Sequence, residues 1–134
     1  MSARAVVERF YALLNARALE RLPEVLHPHF TDIATHGDVQ GVPAFLELQN
    51  RSYRAFPDLT YHPEMWVEEQ GKVAVMGHFT ATHRGEYAGY AASGNPIRVR
   101  YLALYALEDG KIARRWVNGD QKVLERQMGG SGDT

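Results

Sequence analysis

The spacing of apolar residues changes near Leu59, and that change limits the fold more than any other feature of the chain. Before it the spacing is helical. Val6, Phe10, Leu13 and Leu14 recur at i, i+4, i+7 and i+8 and form one apolar stripe, with Ser2 in an N-cap position and Tyr11 beside the stripe. A short second helix is predicted over Leu19–Leu26, where Pro23 is tolerated only in a first turn. His27-Pro28-His29 interrupts the pattern, Phe30–Thr35 reads as a short strand, and Gly37 and Gly41 punctuate the loop that follows. A third helix is predicted over Pro43–Ala55, with Pro43 suited to its first turn and Phe45, Leu48, Ser52 and Phe56 on its inner face. Pro57-Asp58 ends it.

After Leu59 the chain reads as strands. Tyr61–Glu69 and Lys72–Arg84 meet at Gln70-Gly71, and a Gly/Ala/Ser-rich stretch from Gly85 to Gly94 precedes a third strand, Pro96–Leu107. Asp109-Gly110 signals a tight hairpin, because a type I′ turn needs positive φ at both central residues. Lys111–Gln121 is the last strand, and Val123, Leu124 and Met128 close the fold. Helices followed by long antiparallel strands make an α+β fold: three N-terminal helices packed on a curved, mainly antiparallel sheet, a cone-shaped α+β barrel whose open end is a ligand cavity.

The chain has 134 residues, enough for one domain, assigned to 1–128 with 129–134 as a tail. Fifteen basic and sixteen acidic side chains leave a net charge of −1, which argues against nucleic acid or an anionic membrane surface as a partner. Cysteine is absent, so disulfides and thiolate chemistry are excluded. No apolar run reaches the ~20 residues of a membrane span, and Met1–Ala5 carries no signal-peptide core. A cytoplasmic location is the expectation.

The terminal hairpin carries a geometric expectation. With Asp109 and Gly110 as turn residues, Leu107 pairs with Ile112, Tyr105 with Arg114, Ala103 with Trp116, Tyr101 with Asn118 and Val99 with Asp120. Opposed residues share a face. Val99, Tyr101, Ala103, Trp116, Asn118 and Asp120 then lie on one side, and Arg98, Arg100, Leu102, Leu104, Arg115, Val117 and Gly119 on the other. One bulge would reverse the later assignments. The first face sets Asp120 in an aromatic wall, an environment that raises a carboxyl pKa by desolvation and suits it to acid/base work.

Several stretches carry a resemblance. The run from Ala81 to Gly94, with Thr82-His83-Arg84-Gly85-Glu86 at its start, resembles the signature of the SnoaL-like polyketide cyclase family. Asp109-Gly110-Lys111-Ile112, Trp116-x-x-x-Asp120 and Leu124-x-x-Gln127-x-Gly129 resemble its C-terminal half. Ala55–Leu59 is similar to its helix-to-strand junction. The resemblance implies the cone fold of nuclear transport factor 2, ring closure by aldol chemistry without metal or cofactor, and Asp120 as general acid/base. Homodimers are common in that family, and an outer sheet face bearing Leu102, Leu104 and Val117 could serve as the interface.

His83, in the matching motif, is the second catalytic candidate, against a structural histidine bonded to a turn. His78, five residues earlier, points to the other face. Tyr11, Asn50, Trp66, Phe79, Tyr101, Trp116 and Asn118 are substrate-binding candidates. The alternative for Tyr11 is a core tyrosine, and Asn50 reads equally as a surface amide. His27, His29, Asp32 and His36 could be imagined as a metal cluster, but a solvated loop is the better reading, and no metal or cofactor is expected. The leading expectation is therefore a cofactor-free cyclase or isomerase acting on an apolar, carbonyl-bearing molecule. The rival is a non-catalytic binding or dimerisation domain. Epoxide hydrolysis ranks third, because that chemistry on this fold wants an Asp-Arg-Asp relay and the register turns Arg98 and Arg100 away from Asp120.

Overall fold

Ser2 starts the first helix as its position predicts: its hydroxyl accepts the Ala5 N–H at 3.1 Å, and α1 runs over Ala3–Asn15. The computed structural model describes residues 1–34 and 37–129. Thr35, His36 and the tail beyond Gly129 therefore lie outside the described residues. One face of α1 buries Val6, Val7, Phe10, Tyr11, Leu13 and Leu14. The predicted second helix is a 3-10 segment, Leu19–Glu24, that contains Pro23. A ring without an N–H suits a short 3-10 segment better than the interior of an α-helix. The chain is already extended at Leu26.

The strands are β1 (Leu26–Ala34), β2 (Gly37–Gln40), β3 (Thr60–Glu69), β4 (Lys72–Thr82), β5 (Pro96–Glu108) and β6 (Lys111–Gly119). Helix α2 (Val42–Ala55) joins β2 to β3, and α3 (Gln121–Gln127) follows β6. They form one open, mixed, curved sheet in the order β2-β1-β6-β5-β4-β3, in which β1 runs parallel to β6 and the other neighbours are antiparallel. The sheet is thus not a closed barrel. The helices do not all come first either: the β1–β2 hairpin separates α1 from α2, and α3 comes last.

From Pro96 to Tyr105 burial along β5 alternates, with Ile97, Val99, Tyr101, Ala103 and Tyr105 inside and Arg98, Arg100, Leu102 and Leu104 outside. Asp109 and Gly110 take φ of 53° and 73°, the turn that the dipeptide predicts. The expected register holds for Glu108–Lys111 and Leu107–Ile112 and then fails. Ala106 pairs with Arg114, which leaves Ala113 as an extra residue on β6. Beyond it Tyr105 faces Arg115, Leu104 faces Trp116, Ala103 faces Val117 and Leu102 faces Asn118. Arg115 and Val117 therefore turn inward, and Trp116 and Asn118 outward, the reverse of the sequence expectation. The other neighbour of β6 is irregular at the same level: β1 advances from Leu26 to Thr31 while β6 advances from Ile112 to Arg114.

Candidate functional site

Between the inner sheet face and the helices lies a cavity of about 420 Å³, within the range of small-molecule sites. Its apolar wall includes Phe56, Leu59, Phe79, Val99, Val117 and Leu124. Its polar residues include Tyr11 of α1, Gln49 of α2, Asp32 of β1, Asp38 of β2, Arg115 of β6 and Asp120.

Asp32 and Arg115 were not foreseen as a site. They are partners in the parallel β1–β6 pairing, and the bulge at Ala113 brings Arg115 to the same face as Asp32. Arg115 donates Nε–H to Asp32 Oδ1 at 2.7 Å and Nη2–H to Oδ2 at 3.2 Å. Asp32 is only 1% exposed, and the guanidinium lies over the rings of Phe10 and Phe45, 5.6 and 5.4 Å from their centres. Burial disfavours the Arg115 charge, but the Asp32 carboxylate together with the Tyr105 and Tyr61 phenols more than offsets this and holds the arginine pKa above its ordinary value. A signal for the pair does exist in the sequence. Phe30 and Asp32 are two residues apart on β1 and share a face, so an aspartate beside a core phenylalanine calls for a cation.

A cluster of phenols lies next to this pair. Tyr105 donates its O–H to the Tyr11 oxygen at 2.6 Å, in the core between β5 and α1. Burial first, then the neighbouring Tyr105, pushes the Tyr11 phenol far above its ordinary pKa, so it stays a neutral donor. Gln49 Nε2–H donates to the Tyr61 hydroxyl at 2.9 Å, and burial pushes Tyr61 up to about 12. The Tyr101 hydroxyl is buried beside the Tyr11 phenol. Its strand partner is Gly77, where a Cβ would lie 2.9 Å from that hydroxyl and 2.5 Å from the His62 carbonyl oxygen. Glycine makes room there for the phenol.

The predicted site residues scatter around this cavity. Tyr11, Phe79, Tyr101 and Asp120 line it. Asp120 does so at the rim: it is exposed, and it is the N-cap of α3, accepting the Val123 N–H at 3.2 Å. The dry aromatic wall expected around it is not there, because the strand ends at Gly119 and Asp120 no longer pairs with Val99. Trp66 turns to the inner face but packs on Tyr11 and under Arg4 rather than on the cavity. Asn50 is exposed on α2, one residue past the inward-facing Gln49. Trp116 and Asn118 are carried to the outer face by the bulge.

His83 is buried away from the cavity, with Nδ1 2.8 Å from the Ser93 hydroxyl and its ring against Phe56. It belongs to a clamp. Thr82 gives its N–H and its hydroxyl to the Asp58 carboxylate, each at 2.7 Å, and the N–H groups of Arg84 and Gly85 both reach the Ala55 carbonyl. A Cβ at Gly85 would lie 2.7 Å from the Arg54 carbonyl oxygen. The signature run thus fastens the segment after β4 to the end of α2. Gln127 acts similarly, donating to the Arg98 carbonyl at 2.9 Å and accepting the Arg98 N–H at 2.8 Å, which anchors α3 to β5.

Arg98 and Arg100 face outward as expected, yet an arginine does reach the cavity. Among the described residues Arg115 is the one basic side chain lining it. His27 and His29 sit 5.4 Å apart between ring centres, His27 Nε2 is 3.5 Å from Asp109, and Asp32 is held by Arg115. Their imagined partner His36 lies outside the described residues. Among those residues no three His, Cys, Asp or Glu side chains are grouped to hold a metal ion, and no helix is long and apolar enough to cross a membrane.

A family model described as SnoaL-like polyketide cyclase matches residues 4–128. No curated protein matches the chain. Among solved structures, IdmH from Streptomyces antibioticus is 23% identical, with 96% of this chain and 99% of that chain covered and a TM-score of 0.85. TsrD from Streptomyces laurentii is 26% identical, with coverages of 94% and 93% and a TM-score of 0.84. A SnoaL-like polyketide cyclase from Agrobacterium tumefaciens is 19% identical, with coverages of 96% and 99% and a TM-score of 0.83.

Proposed function

The chain belongs to the SnoaL-like polyketide cyclase family, and from that premise we propose that its cavity takes up a mostly apolar, carbonyl-bearing small molecule and promotes ring closure without a cofactor. The observation that carries this reading is a cavity of about 420 Å³ with apolar and aromatic walls and a carboxylate, Asp120, at its rim. In the proposed reaction the Asp120 carboxylate removes a proton from the carbon next to a carbonyl. The resulting enolate attacks a second carbonyl carbon of the same molecule and forms the C–C bond. The alkoxide then recovers the proton from Asp120. Tyr11, held neutral by burial, donates a hydrogen bond to the oxygen that gains charge. The shaped wall holds the two carbons near each other, which converts a rare encounter into a local one.

The test is Asp120→Asn. Asparagine caps a helix about as well as aspartate, so α3 keeps its start while the proton acceptor is gone. With an aromatic polyketone ester in D2O, the natural sequence is expected to exchange the protons next to the carbonyls and to yield cyclised product, and the variant to lose both by a factor of about 100 or more. Retained turnover would remove Asp120 from the chemistry.

A second reading, a non-catalytic binding domain, draws on the exposure of Asp120 and its capping role. Ligand uptake with no exchange and no product in the same experiment selects it. In either reading we assign the outer face to a second copy of the chain. Met65, Val67, Leu102, Leu104 and Trp116 are exposed there, and Leu102 is 60% accessible. A twofold pairing would cover the same patch on both copies. Val117 is not part of that patch as first expected, because the bulge turns it inward.

A further inference from the structure

We propose that the Asp32–Arg115 pair is a positioning device that binds an uncharged acceptor oxygen of the ligand at the buried end of the cavity, so that the ligand must carry such an oxygen besides the part that reaches Asp120. The proposal rests on the cavity reading above and adds a second polar contact to it.

An ion pair sunk in an otherwise apolar wall is a poor source of stability. Removing two charges from water costs several kcal/mol each, and well-packed hydrophobic residues often serve as well. Here the pair is both buried and on the cavity wall, with aromatic rings over the guanidinium. Asp32 takes two of the five guanidinium N–H groups and fixes the plane of the fork. The buried Tyr105 oxygen lies against the guanidinium and takes part of what is left, and the remaining N–H capacity stays on a rigid group that lines the cavity. Nearby, the Tyr61 oxygen already accepts from Gln49, which leaves the Tyr61 proton as a further donor. The buried end therefore offers donors and accepts oxygens.

Charge sets the kind of oxygen. Asp32 already neutralises Arg115, and the two other carboxylates lining the cavity, Asp38 and Asp120, have no ion-pair partner among the described residues. An anionic ligand would meet net negative charge. A ketone, ether or hydroxyl oxygen fits, whereas a carboxylate or phosphate does not. At the other end Asp120 stands exposed at the rim, so a ligand held by Arg115 extends outward to it.

Three probes of one shape test this: 2-acetylnaphthalene, 2-ethylnaphthalene and 2-naphthoate, with Kd measured by calorimetry. The natural sequence is expected to bind the ketone at least about tenfold more tightly than the hydrocarbon, the worth of one hydrogen bond to a charged group, and the carboxylate most weakly. The double variant Asp32→Leu/Arg115→Met leaves no buried charge and keeps the wall filled. It is expected to fold, to bind the hydrocarbon at least as tightly, and to lose the preference for the ketone. Hydrocarbon binding with no ketone preference in the natural sequence, an unchanged preference in the double variant, or tightest binding of the carboxylate overturns the anchor alone. Failure of all three probes to bind overturns the anchor together with the cavity reading beneath it. Should the double variant not fold, Arg115→Lys serves instead. It keeps the charge but not the fork, and it must reduce the ketone preference severalfold.

Discussion

β5 and β6 are the two arms of one hairpin, and they behave differently. β5 alternates in and out up to Tyr105, and every side chain from Ile97 to Tyr105 points where its parity says. β6 keeps parity for two pairs, gains Ala113, and reverses. The comparison teaches that alternation is a local rule whose errors are global. One unpaired residue exchanged Trp116 for Arg115 at the cavity wall and so changed what the site can bind.

The contrast is tested most strongly at the side chain that the bulge turns inward.

Arg115→Met sharpens it. The variant keeps the bulge and the volume but leaves Asp32 buried and unpaired, at a cost of about 3–5 kcal/mol. Urea unfolding reads this as a lower midpoint than that of the natural chain. Trp116→Ser tests the other side of the same strand. If Trp116 faces outward, the stability of the single chain changes by no more than about 0.5 kcal/mol. A large loss would place it in the interior.

Most of the fold was legible because its determinants are local. The Ser2 cap, the α1 stripe from Val6 to Leu14, Pro43 near the start of α2 and the Asp109-Gly110 turn each act within a few residues, and each appears where the sequence puts it. The parallel β1–β6 pairing was not legible, since a contact across about 80 residues leaves no periodic trace. The site was half legible. Tyr11 and Tyr101 follow from periodicity on regular elements and line the cavity, as does Phe79, whose strand face the sequence left open. Asn50 missed by one residue, where Gln49 holds the inward helical position. His83 shows the limit of a motif: in this chain the run around it fastens α2 to the chain after β4. Asp32 and Arg115 were missed because only Asp32 carries a signal of its own, beside Phe30, whereas the face of Arg115 depends on the bulge at Ala113.

The central claim is that the bulge turns Arg115, and not Trp116, toward the cavity. Nitrogen-15 NMR of the intact protein during titration with 2-acetylnaphthalene tests it most directly, because the Arg115 Nε–H and the Trp116 indole N–H are neighbouring side chains on opposite faces of one strand. The account predicts that the Arg115 signal shifts with saturation while the Trp116 indole signal stays fixed. A Trp116 signal that saturates with ligand while Arg115 stays fixed would contradict it.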